Sequence, residues 1–233
     1  MTDRAPHQRI VVLTGAGISA ESGINTFRDN GGLWENHRLE DVATPEAFSR
    51  DPALLQRFYN LRRAQLNSVT YNAAHKALAE FERNFHGEFL LVTQNVDHLH
   101  RLSGSQNLIH MHGELRKSRC TTTNLVYDQL DDIDVHTHCD CCNTPTLRPH
   151  IVWFGEMPLL MDDIYAALEQ CDLFISIGTS GNVYPAAGFV EVANSVGART
   201  VEINLEPSRG VTLFHEAYQG PASVAVPEFL ANL

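Results

Sequence analysis

Short apolar runs alternate with amphipathic stretches along most of the chain. Arg9-Ile10-Val11-Val12-Leu13-Thr14 is apolar, β-branched and followed by glycines, the pattern of a parallel strand buried on both faces. Residues 89–93, 108–111, 151–154, 173–177 and 200–204 repeat it. Between these runs lie helical patterns. Residues 53–66 contain no Gly or Pro, and Leu54, Leu55, Phe58, Leu61 and Leu66 fall mostly on one face. Residues 73–85, 162–170 and 186–196 also read as helices. Strands alternating with helices predict an α/β fold with a mainly parallel sheet covered on both faces.

Two stretches interrupt the alternation. Residues 25–66 hold no convincing strand and read as a loop followed by helices. Residues 114–148 are rich in Cys, His, Thr and Asp and poor in apolar side chains. A segment with so little core needs a staple to be ordered, and zinc is the expected one.

Composition narrows the class. A length of 233 residues suits one large domain, or one domain with a small insertion, and 43% apolar with 19% charged residues excludes a disordered chain. No apolar run reaches the roughly 18–20 residues that cross a bilayer. The first residues, Met1-Thr2-Asp3-Arg4-Ala5-Pro6, show no secretory signal, so a cytoplasmic protein without a membrane partner is expected. The net charge of −11 argues against nucleic-acid binding and suits basic, lysine-bearing protein partners. Five cysteines, an odd number, do not make a disulfide framework. Cys120, Cys139, Cys141 and Cys142 lie close in sequence instead, which points to a metal.

Several motifs carry chemistry. Gly15-Ala16-Gly17-Ile18-Ser19-Ala20 directly follows the first strand and matches a turn in which glycines let backbone approach a pyrophosphate at a helix N-terminus. No second strand with an acidic ribose ligand follows, which disfavours an ordinary dehydrogenase. Gly178-Thr179-Ser180 and Asn204-Leu205-Glu206 end later strands, where open α/β sheets bind ligands. Thr93-Gln94-Asn95-Val96-Asp97-His98 offers amide and carboxylate groups at another strand end, or merely a helix cap. In His110-Met111-His112-Gly113-Glu114, strand alternation puts both histidines on one face, with His112 beside a glycine as a general base or a structural residue. Cys139 and Cys142 have CxxC spacing with Cys120 upstream. The fourth donor is open between Cys141, His136 and His138, and a degraded, empty site is the other reading. Cys171 reads as a small core residue.

These motifs occur in one order together with Glu21-Ser22-Gly23-Ile24, Thr26-Phe27-Arg28 and His112-Gly113, and from about Arg9 to the C-terminus the chain resembles the sirtuins, in particular the bacterial class III type. The resemblance implies a single catalytic domain over residues 1–233. Residues 9–24, 86–113 and 149–233 would form a Rossmann-like, doubly wound NAD domain. Residues 25–85 would form a cofactor loop and helical module, and residues 114–148 a small inserted zinc-binding module. It implies an NAD-dependent protein-lysine deacylase that removes acetyl, succinyl and malonyl groups and releases nicotinamide and O-acyl-ADP-ribose.

The resemblance assigns NAD to Gly15, Ala16, Gly17, Ser19, Ala20, Thr26, Phe27, Arg28, Trp34, Gln94, Asn95, Val96, Asp97, Gly178, Thr179, Ser180, Asn204, Leu205, Glu206 and Ala222. It makes His112 the base, with Asn95 and Asp97 beside it, and makes Cys120 and Cys139 ligands of one structural zinc, to which the CxxC spacing adds Cys142. Phe154, Gly155 and Glu156 would pair with the acyl-lysine peptide. Tyr59 and Arg62, which share a helix face at this spacing, would hold an acidic acyl group, and Ala43 would leave room for it. The chain departs from the pattern at Asn25, where proline is common, and at the first cysteine pair, of which only Cys120 remains. The competing functions are a protein ADP-ribosyltransferase using the same pocket, a catalytically silent NAD-binding regulator, and a zinc hydrolase that ignores NAD. The last would leave the glycine loop and Asn204-Leu205-Glu206 unexplained.

Overall fold

The computed structural model describes residues 7–24 and 37–233. Its strands are β1 (Arg9–Thr14), β2 (Glu88–Thr93), β3 (Leu108–His110), β4 (Gly113–Cys120), β5 (Val126–Asp128), β6 (Leu147–Ile151), β7 (Leu173–Ile177), β8 (Arg199–Asn204) and β9 (Glu216–Gln219). Six of them form one sheet in the order β3-β2-β1-β7-β8-β9, with every pairing parallel. The chain builds outward from β1 in one direction and from β7 in the other. The loops that leave these two central neighbours therefore diverge and open a crevice at the carboxyl ends, the place where such sheets bind ligands.

The helices are α1 (Leu39–Val42), α2 (Pro45–Arg50), α3 (Pro52–Gln65), α4 (Ala73–Asn84), α5 (Leu99–Ser103), α6 (Met161–Leu168), α7 (Phe189–Ser195) and α8 (Ala222–Ala231). Strand alternation sorts the core into two layers. Ile10 and Val12 face Leu78 of α4 and Phe229 of α8. Val11 and Leu13 face Ile164 and Leu168 of α6 and Phe189 and Val190 of α7. Helices thus cover both faces of the sheet, as the apolar runs predict. α3 starts where its sequence says it should: Asp51 accepts from Leu54 N at 2.9 Å and Pro52 opens the first turn.

A second, antiparallel sheet in the order β5-β4-β6 lies apart from the first. A third cluster, with Val42, Leu55, Phe58, Tyr59, Leu115, Ile151 and Trp153, joins α3 to this small sheet. Two expectations change here. Residues 151–154 are not a parallel strand: β6 ends at Ile151 in the small sheet, and the next residues turn away. Their apolar side chains serve the third cluster instead, where Trp153 is buried. The glycine motif opens two 3-10 turns, Ala16–Ile18 and Ala20–Ser22, rather than an α-helix. No described helix is long and apolar enough to cross a membrane.

Candidate functional site

The glycine loop sits where it does because two backbones touch. Gly15 N donates to Ile177 O at 3.0 Å and Gly17 N to Gly178 O at 2.9 Å. A Cβ on Gly17 would lie 2.7 Å from Gly178 Cα, and Gly178 has φ +63°. Only glycine allows this approach at both positions. The two loops form the floor of a cavity of about 780 Å³ at the carboxyl ends of the strands, a size suited to a large small-molecule ligand.

The cavity gathers residues that are far apart in sequence. Gly15, Ala16, Gly17, Ser19, Ala20, Gln94, Asn95, Val96, Asp97, Gly178, Thr179, Ser180, Asn204, Leu205, Glu206 and Ala222 all line it. So do His112, Ala43, Tyr59, Arg62, Phe154, Gly155 and Glu156. Thr26, Phe27, Arg28 and Trp34, and the departure at Asn25, lie outside the described residues. Asn204 Nδ2 donates to Thr179 O and ties the two late strand ends together.

Asn95, Asp97 and Ser19 form a buried polar group. Asn95 Nδ2 donates to Gly15 O at 3.0 Å and to Ser19 Oγ at 3.2 Å. Asp97 accepts from Ser19 Oγ at 3.0 Å and from Leu99 N at 2.9 Å. Burial pushes the Asp97 carboxyl above its ordinary range, and those two donors oppose the rise. His112 follows β3 in a turn, so it is not on a strand face with His110. Its Nδ1 donates to Gln94 O at 3.0 Å, which leaves Nε2 as the basic nitrogen of a neutral ring. Burial holds its pKa below 6.5. A neutral imidazole lining a cavity can take a proton at neutral pH.

Behind these residues lies a framework with no sequence signal of its own. Thr14 and Thr93 are register partners in β1 and β2, and their hydroxyls bond at 2.8 Å. Thr93 Oγ1 accepts from Asn95 N at 3.1 Å, and Thr14 Oγ1 lies 3.0 Å from His100 Nε2. His100 packs against His75, ring centroids 4.8 Å apart, and His75 Nε2 lies 3.4 Å from Ser19 Oγ. Burial depresses His75 to about 4. The unfolded chain takes this proton near 6.5 and the folded one only near 4, so stability is complete above 6.5 and falls as pH drops. At about 1.36 kcal/mol per pH unit, His75 alone accounts for a loss of about 3 kcal/mol. Urea unfolding at pH 7, 5.5 and 4.5 should show this decline; a flat profile would contradict it.

Tyr59 is fully buried on α3. Its hydroxyl donates to Val42 O at 3.1 Å and accepts from Trp153 Nε1 at 2.9 Å. Burial raises its pKa well above 10, so the phenol stays protonated. Arg62 lies on the same helix with its guanidinium 5.7 Å from the Phe58 ring. Ala43 O accepts from Phe154 N at 2.9 Å. Glu156 borders the cavity, but Arg148 engages both of its carboxylate oxygens, at 2.7 and 2.9 Å. Trp153, read from sequence only as part of an apolar run, and Glu21, read only within the glycine motif, also line the cavity. Glu21 accepts from Ser223 N and Oγ at 2.9 and 2.7 Å, which binds the glycine loop to α8.

The open question of the fourth metal donor has an answer: Cys120, Cys139, Cys141 and Cys142 place their sulfurs within 4.8 Å of one another. Neither His136 nor His138 belongs to this group. Tetrahedral zinc with bonds of about 2.3 Å needs sulfurs about 3.8 Å apart. Cys120 and Cys142, at 3.9 Å, match this separation, and Cys139 and Cys141, at 3.1 Å, need only part by several tenths of an ångström for the four thiolates to hold a structural zinc. None of the four lines the cavity. Purified protein should carry about one zinc per chain, and chelation or Cys139→Ala should lower the melting temperature as well as activity. A metal-free protein of unchanged stability and activity would overturn this.

The Sir2 family model matches residues 15–185. A protein named NAD-dependent protein deacylase from Pasteurella multocida is 63% identical over 228 residues, covering 96% of this chain and 97% of its own. One of the same name from Escherichia coli K12 is 60% identical over 228 residues, covering 97% of this chain and 82% of its own. A solved Sir2 homologue–NAD complex superposes with TM-score 0.89 at 38% identity, over 97% of this chain and 89% of that one. A Sir2 protein bound to acetylated peptide superposes with TM-score 0.81 at 28% identity, over 97% and 92%.

Proposed function

The chain belongs to the Sir2 family, and from that premise we propose that it is an NAD-dependent protein-lysine deacylase that removes acetyl and acidic acyl groups. One observation supports the reading: the described residues proposed for the dinucleotide and for the acyl group line a single cavity together with His112, whose pKa burial lowers.

In this reading residues 15–20 receive the pyrophosphate through backbone that glycine lets come close. Gly178, Thr179, Ser180, Asn204, Leu205, Glu206 and Ala222 receive the adenosine end. Gln94, Asn95, Val96 and Asp97 receive the nicotinamide end, with Asn95 and Asp97 orienting the carboxamide from a rigid buried mount. The resemblance adds Thr26, Phe27, Arg28 and Trp34, which lie outside the described residues, to the cofactor contacts. The peptide adds as a strand along Phe154 and Gly155, and its acyl-lysine passes between Ala43, Tyr59 and Arg62.

When bound, NAD supplies a ribose that accepts the acyl group once nicotinamide has left. The protein's part is proton transfer: His112 takes a proton from a ribose hydroxyl at Nε2, with its ring held by the Gln94 carbonyl. The four-cysteine site is closed and stands away from the cavity, so its metal would serve the fold. Free thiols, four of them gathered as metal donors, suit a cytoplasmic site of action with acyl-lysine proteins as partners. The test is mass spectrometry of acetyl- and succinyl-lysine peptides incubated with the protein. Deacylation should occur with NAD and be absent without it. Equal deacylation in both would remove NAD from the reaction.

A further inference from the structure

Trp153 is held from three sides by groups that do not touch one another in sequence. The Arg148 guanidinium carbon lies 3.4 Å from its ring centroid. Its backbone N donates to Glu156 Oε2 at 2.8 Å, and its indole Nε1 donates to Tyr59 OH at 2.9 Å. Arg148 is itself buried, and both of its terminal nitrogens are engaged while Nε has no hydrogen-bond partner: Nη1 donates to Glu156 Oε1 at 2.7 Å, and Nη2 donates to Glu156 Oε2 at 2.9 Å and to Ile151 O at 2.8 Å. Arg119 adds a further charge contact to Glu156 at 3.5 Å.

A guanidinium buried this deeply is costly unless its donors are met. Here the planar fork, the carbonyl contact and the ring stack are satisfied at once, which a lysine ammonium does not reproduce. The position of Trp153 matters because it directly precedes Phe154 and Gly155. Phe154 N donates to Ala43 O, and Glu156 N donates back to Trp153 O at 3.0 Å. Trp153 lines the cavity together with Tyr59, Phe154 and Gly155.

We propose that Arg148 and Glu156 are the positioning pair of the acyl-lysine site, clamping Trp153 so that the channel wall and the peptide-pairing edge are set together. This rests on the deacylase reading of the cavity. The pair contacts neither the glycine loop nor the late strand ends in the hydrogen bonds described, so its effect belongs to the peptide and not to NAD. It also acts before the acyl group is distinguished, so acetyl and succinyl substrates should respond alike.

Steady-state kinetics of Arg148→Lys, Arg148→Met and Glu156→Gln test this, together with exchange of the Trp153 indole N–H by NMR, assigned by comparison with Tyr59→Phe. In Arg148→Lys the peptide KM should rise about tenfold or more for both acyl groups, with kcat and the KM for NAD within about threefold. Glu156→Gln should move the same way by less. The indole N–H should exchange faster in each. Should Arg148→Met fail to fold, the folded Arg148→Lys still decides. Unchanged peptide KM, or an equal rise in both KM values, would overturn the proposal. The indole exchange needs no turnover, so unchanged protection in Arg148→Lys overturns the clamp even for an inactive protein. Absence of NAD-dependent turnover in the wild type would instead count against the deacylase reading.

Discussion

His112→Ala should lower kcat by about 10²–10⁴-fold, the usual contribution of a positioned acid–base group, while NAD affinity stays within a few-fold. The backbone around His112 is fixed independently of its side chain. Met111 N donates to Thr93 O at 3.0 Å, and Val152 N donates to His112 O at 2.9 Å, so the truncation leaves the cavity intact. The neighbouring His110 does not compensate: it is buried, does not line the cavity, and its Nδ1 is engaged by Asn95 O at 3.2 Å. The pH profile gives a second readout. A base works only when neutral, and burial lowers the His112 pKa, so the acid limb of kcat/KM should have its midpoint below 6.5. Near wild-type turnover of the variant, measured by peptide mass spectrometry, would remove His112 from the mechanism.

Arg62→Met should cost about tenfold to more than a hundredfold in kcat/KM for succinyl-lysine and far less for acetyl-lysine. Bonds from a charged donor contribute roughly 1.5–3 kcal/mol, and a guanidinium matches a carboxylate with two parallel donors. Acetyl-lysine has no distal carboxylate to lose. Tyr59, expected from sequence to act as the partner of Arg62, is a poorer probe. Its hydroxyl already bridges Val42 O and Trp153 Nε1, so Tyr59→Phe leaves both buried groups short of a partner and should reduce both activities. Comparing kcat/KM on the two peptides decides: equal losses in Arg62→Met would make Arg62 structural and remove the basis for acidic-acyl recognition.

The central strands were legible because a strand buried on both faces is a continuous apolar run. β1, β2, β7 and β8 fall within a residue of the predicted bounds. β9, Glu-Ala-Tyr-Gln, is an exposed edge strand with no such run and is invisible to that reasoning. The run at 151–154 misled for the opposite reason: its apolar side chains fill a satellite cluster beyond the end of an antiparallel strand. At the site, the glycine loop was readable as a tight turn that lets backbone approach a ligand, though not as 3-10 turns or as the contact it makes with the Ile177–Gly178 backbone. Cys141 stood only as one of three candidates for the fourth donor, because the CxxC template does not use the cysteine inside the pair; the turn after Cys139 brings Cys141 and Cys142 to the same centre. The framework of Thr14, Thr93, His75 and His100 had no spacing to reveal it. Parallel register and helix packing assemble it from segments far apart in the chain.

In the proposed reaction one cavity transfers the acyl group from lysine to the ribose of NAD, with His112 as base. Quantifying all products of a single reaction tests it most directly, using acetyl-lysine peptide, NAD and the zinc-loaded protein with mass-spectrometric detection. Free-lysine peptide, nicotinamide and O-acetyl-ADP-ribose should appear in equal amounts. Free acetate formed without nicotinamide, or ADP-ribose attached to peptide or protein in place of deacylated lysine, would contradict it.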